Sequence, residues 1–186
     1  MGKEHHMNDS LITLEPRTES GLVNIIVDTP KGSRNKFKYD QKTRCFRLSR
    51  ILPIGASFPF DFGSIPMTSA EDGDALDVLV IADAPSFPGY LLTGKLIGTI
   101  SGEQTEKKKT IRNDRLLAVP VTPANPPLFE HIDDLPSGWI TEIEHFFISY
   151  NRVQGREYKP IKRGGPKGAE ETLANAEQRY KREQKQ

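Results

Sequence analysis

Asp72-Gly73-Asp74-Ala75-Leu76-Asp77-Val78-Leu79-Val80-Ile81 places three carboxylates, two and three residues apart, directly ahead of an uninterrupted apolar run. The apolar run reads as a strand, and Gly73 lets the loop before it turn tightly. Hard divalent cations need oxygen ligands. Magnesium keeps much of its water and takes one or two carboxylates plus substrate phosphate oxygens, so an acidic loop at a strand start suits it. The offsets of Gly and Glu that a helix-flanked calcium loop requires are not present. On this segment alone, a solvated acidic turn competes evenly with a metal site.

Outward from the turn, residues 11 to 121 read as short strands separated by turn residues. Leu22 to Val27, Lys36 to Tyr39, Cys45 to Leu52, Asp77 to Ile81, Leu91 to Ile100 and Leu116 to Val121 are the candidates. Several strands without intervening helices predict a closed barrel or a sandwich. After Pro136 the period changes: Trp139, Ile140, Ile143, Phe146, Phe147 and Tyr150 recur at helical spacing behind a Ser137 cap. This aromatic stripe is a packing face. A second helix is predicted over Ala169 to Arg182, lying against the barrel, with Leu173, Ala176 and Tyr180 on one face.

The 186 residues favour one domain over 11–186, with the polar stretch 1–10 as a tail outside the fold. A formal net charge of +1 gives no reason to expect nucleic acid or a membrane surface. The single Cys45 cannot form an internal disulfide, and no apolar run approaches a membrane span, so the expected location is cytoplasmic.

The acidic turn and the residues around it resemble family I soluble inorganic pyrophosphatases, whose signature is Asp-x-Asp-x-x-Asp before an apolar strand. Val27-Asp28-Thr29-Pro30 is similar to the family's acidic residue and strand-ending proline. Lys36-Phe37-Lys38-Tyr39 resembles its Lys-Tyr-Glu segment, and Arg50 falls at its arginine. Phe58-Pro59-Phe60-Asp61-Phe62-Gly63 is similar to its Tyr-Pro-x-x-Tyr-Gly run, and Arg115-Leu116-Leu117-Ala118-Val119-Pro120 to its Lys-x-x-Ala-Val-Pro strand. His131 to Pro136 and His145 to Tyr150 resemble its last turn and helix, so the likeness spans about Ile25 to Tyr150.

The resemblance implies a mainly β fold, a five-stranded OB-like barrel with two C-terminal helices, and a homo-oligomer. It implies magnesium-dependent hydrolysis of diphosphate at the barrel mouth. Asp72 and Asp77 match metal ligands, with Glu103 as the candidate for a further one, and Asp74 matches the base that takes a proton from water. Lys36, Arg50, Arg115 and Tyr150 match groups that grip phosphate. Departures from the family pattern accompany these matches. Lys38 stands in place of a carboxylate, Phe58 and Phe62 of tyrosines, Asn151 of a lysine, and Asn113 of a carboxylate two residues before Arg115. Alternation along a strand predicts that Asn113 faces the metals with Arg115 while Asp114 points away. The loop carrying Lys107-Lys108-Lys109 is expected to be a solvated bulge. These departures support an alternative, a degenerate barrel that binds diphosphate or a nucleotide phosphate with little turnover.

Overall fold

A computed structural model describes residues 14–40 and 42–185, which leaves the 1–10 tail outside the described residues. Strands β1 (Val23–Thr29), β4 (Asp61–Ile65), β5 (Leu76–Val80), β8 (Arg115–Pro120) and β6 (Leu91–Glu106) form the centre. Their pairings run β1–β4–β5–β8–β6, and β6 returns to β1, so the five strands close into a ring. All of these contacts are antiparallel except β5–β8, which is parallel. Strands β2 (Asn35–Asp40) and β3 (Cys45–Ile51) make a separate two-stranded ribbon. β7 (Lys109–Arg112) and β9 (Glu157–Gly164) both pair with the far end of β6.

The period of two along the ring strands divides the apolar side chains into two packed groups. Leu79, Leu117 and Ile97 join Phe58, Phe62 and Tyr158 against helix α1 (Trp139–Arg152), which contributes Ile143 and Phe147. The alternate residues Val78, Val80, Leu116 and Ala118 pack with Val23 and Ile25 against helix α2 (Pro166–Glu183), which contributes Ala169, Leu173 and Ala176. A ring buried on both faces gives the near-continuous apolar strands seen in the sequence. α2 thus lies against the barrel as expected.

Several elements differ from the sequence reading. β4 and β9 carry too many polar or small residues to stand out as strands, and β6 runs six residues past Ile100, to Glu106. Gly102 is needed on that extension because a Cβ there would strike the Tyr158 side chain. The cap of α1 is Gly138 at φ 92°, with no side-chain hydrogen bond, in place of Ser137. The Lys107–Lys109 segment is a tight β6–β7 hairpin whose Lys107 and Lys108 take positive φ of 46° and 68°.

Candidate functional site

The acidic turn is built by its own hydrogen bonds. Asp72 Oδ1 accepts from the Asp74 amide at 3.1 Å, the Ala70 carbonyl accepts from Gly73 at 3.2 Å, and Gly73 sits at φ 85°. That left-handed conformation is why a glycine lies between two aspartates. Asp77 follows on β5, opposite Ser64 of β4. Asp28 comes from β1, and the β2–β3 ribbon brings Lys36 and Lys38 on one strand and Arg50 on the other, with Lys36 paired to Arg50.

These walls enclose a cavity of about 610 Å³. Asp28, Asp74, Asp77 and Glu183 line it together with Lys36, Lys38, Arg50 and Arg156, so its charged side chains balance in number. Tyr150 enters from the end of α1 and Tyr180 from the end of α2. The Lys36 ammonium lies 4.9 Å from the Phe62 ring centre and 5.3 Å from that of Tyr150, within cation–π range. Phe62 therefore supports a cation with its ring face, a task that needs no hydroxyl.

Each aspartate of the turn already faces a donor of the chain itself. Lys38 Nζ donates to Asp74 Oδ1 at 2.6 Å. Asn113 Nδ2 lies 3.5 Å from Asp72 Oδ2 and donates to Gln104 Oε1 at 3.0 Å. Arg115 Nε stands 3.9 Å from Asp77 Oδ2, too far for a hydrogen bond, and this buried nitrogen has no hydrogen-bond partner among the described residues. The Arg115 guanidinium is packed 4.0 Å from the Phe147 ring centre and 4.5 Å from that of Tyr158, and it donates to the Asn113 carbonyl at 3.0 Å.

Burial raises the proton affinity of Asp77 against the opposing pull of Arg115 and Lys36. Burial, reinforced by the negative charge of Asp77, pushes Asp28 up to about 7. Two buried carboxylates beside each other are each easier to ionise when a further positive charge is brought close. No three His, Cys, Asp or Glu side chains converge on one point among the described residues. Asp28 and Asp77 offer carboxylate oxygens, the donor type a hard cation takes one or two of beside substrate oxygens and water.

A family model described as inorganic pyrophosphatase matches residues 25–181. The chain belongs to the inorganic pyrophosphatase family. It is 36% identical over 148 residues to the inorganic pyrophosphatase of Synechocystis sp., covering 80% of this chain and 84% of that one. With the inorganic pyrophosphatase of Geobacillus stearothermophilus the identity is 34% over 166 residues, covering 87% and 96%. The crystal structure of inorganic pyrophosphatase from Thermus thermophilus superimposes with a TM-score of 0.83 at 31% identity, covering 92% of this chain and 99% of that one.

Lys36, Arg50, Asp74, Asp77 and Tyr150, all expected from the pyrophosphatase resemblance, meet at this cavity. Asp72 stands at the turn behind Asp74. Two expected site residues, Glu103 and Arg115, are placed outside the cavity lining. Glu103 does not line the cavity; it is paired with Arg112 and Lys159 on the strands flanking β6, and alternation turns its neighbour Gln104 toward Asn113 and Asp72 instead. Arg115, expected to grip phosphate, lies behind Asp77 with a side chain only 4% exposed. Asn113 does face the acidic turn, while Asp114 turns away and accepts from the Gly102 amide and Arg112. Asn151 is buried and donates to the Phe147 carbonyl at 2.9 Å, so its amide closes a helix turn. Arg156, Tyr180 and Glu183 were missed because none belongs to a motif; only the packing of α2 and of the loop after α1 brings them to the cavity.

Proposed function

We propose that this chain hydrolyses inorganic diphosphate to two phosphates with magnesium. The observation that carries this reading is the acidic turn of a pyrophosphatase-family chain facing Lys36 and Arg50 across one polar cavity. A diphosphate is a dense anion, and Lys36 and Arg50 on paired strands offer charge-assisted hydrogen bonds to its oxygens. The Tyr150 hydroxyl adds a neutral donor from α1. Asp72 and Asp77 would hold the magnesium ion, whose contribution is Lewis-acid stabilisation of phosphoryl oxygens and acidification of water. Arg115, stacked on Phe147 and Tyr158, offsets the charge of the Asp77 carboxylate from behind.

In the chemical step water forms a bond to one phosphorus while the bridging P–O bond breaks, and Asp74 takes the proton the water gives up. Lys38 engages Asp74 through Oδ1, so Oδ2 is the oxygen placed to take that proton. Their side chains are 57% and 58% exposed, so the ion pair is worth about 0–1 kcal/mol and exchanges readily.

The test is phosphate release from diphosphate, with and without magnesium. Magnesium-dependent release supports the reading. Diphosphate binding with no release at any magnesium concentration replaces it with the binding-only alternative, which the Lys38–Asp74 pair and the Asn113–Gln104 amide pair favour.

A further inference from the structure

We infer that Lys38 is a built-in cation of the site: its ammonium contacts a substrate phosphate and occupies Asp74 in place of part of the metal complement. The inference deepens the diphosphate reading and rests on it. Its geometric basis is that Lys38 reaches Asp74 from the opposite wall at 2.6 Å while lining the same cavity as Lys36 and Arg50. Lys38 also lowers the proton affinity of Asp28, so its ammonium acts on acids from two walls.

A second corner of the site likewise adds no negative charge. Next to Asp72 the chain presents the Asn113 and Gln104 amides, which are engaged with each other at 3.0 Å and carry no charge to hold a cation. Where added carboxylates would gather more metal, this chain supplies one ammonium and two amides. An ammonium is a compact point charge with three donors, so it can bridge a carboxylate and a phosphate oxygen at once, as a cation between them would. The exposure of the pair leaves Lys38 free to move from Asp74 alone to that bridging position.

Calorimetry on the full chain tests this without relying on turnover. Methylenediphosphonate, a diphosphate that cannot be hydrolysed, is titrated into protein in chelator, and magnesium is titrated separately into protein without ligand. Loss of the ammonium in Lys38→Gln should weaken metal-free binding of the diphosphonate by about tenfold or more, the size of one charge-assisted hydrogen bond. The same variant should bind magnesium more tightly, and the gain should disappear in the Lys38→Gln, Asp74→Asn double variant. Lys38→Arg should keep both wild-type affinities closer than Lys38→Gln does. If either the diphosphonate or the magnesium affinity of Lys38→Gln matches wild type, the inference is wrong. Failure of the wild type to release phosphate from diphosphate would instead overturn the activity reading, whatever the calorimetry gives.

Discussion

Asp74 is exposed at the head of the turn and bears no packing, so its replacement isolates chemistry from folding. Asp74→Ala is expected to lower turnover by at least about a hundredfold, the usual share of a general base, with an unchanged melting temperature and retained diphosphonate binding. A parallel loss of ligand binding would deny it the role of base. Asn113 tests the neighbouring corner. Asn113→Asp adds a carboxylate 3.5 Å from Asp72, so magnesium affinity measured by calorimetry should rise, while Asp114→Ala, which loses its hydrogen bonds to Gly102 and Arg112, should leave that affinity unchanged. Asp28 gives a pH signature. Its folded pKa of about 7 lies above the ordinary 3.8, so the folded state holds a proton that the unfolded chain gives up, and this contribution is lost as pH rises through 7. In metal-free protein, Asp28→Asn should raise stability by on the order of a few kcal/mol above pH 7, with the gain shrinking as pH falls toward 4. Thermal melts at a series of pH values measure it; a gain independent of pH would contradict the assignment.

At the level of elements, the ring depends on one close approach. Gly63 of β4 pairs with Val27 of β1, and a Cβ there would run into the Ile26 carbonyl oxygen and lie 3.1 Å from the Val27 Cα. Both obstacles are backbone, so neither can rotate away. Gly63→Ala should cost about 1–3 kcal/mol as an overpacked site, which for a chain of this size lowers the melting temperature by roughly 2–4 °C per kcal/mol. An unchanged melting curve would mean that β1 and β4 separate without cost. Legibility follows the same logic. β5 and β8 were readable because a buried strand needs only apolar side chains in a row, whereas β4 holds Asp61, Gly63 and Ser64 and depends on its neighbours to be a strand. The site divides similarly. Asp72, Asp74 and Asp77 lie in one short segment and could be read together, but the choice of Gln104 over Glu103 is set by the register of β6 and by the close packing of Gly102 under Tyr158. No local pattern encodes that register.

For the whole molecule, the surface left over after the cavity and the two packed cores bears on assembly. Ten large apolar side chains are exposed among the described residues, including Ile54 at 90%, Leu128 at 68% and Phe87 at 62%. Single exposed apolar residues are ordinary, but Leu48, Ile51 and Ile54 fall within seven residues of chain on β3 and the turn after it. A stable contact between two copies needs about 800 Å² from each. That is roughly 7% of the 11179 Å² of accessible surface here, an area that need not include the cavity. The family resemblance implies a homo-oligomer, whose mass in light scattering at micromolar concentration is a multiple of 20.9 kDa. Since the cavity walls come from elements of one chain, dilution to the monomer should leave metal-free diphosphonate binding in place. A mass of 20.9 kDa at every concentration would overturn the oligomer, and binding that vanishes on dissociation would mean that a second copy completes the site.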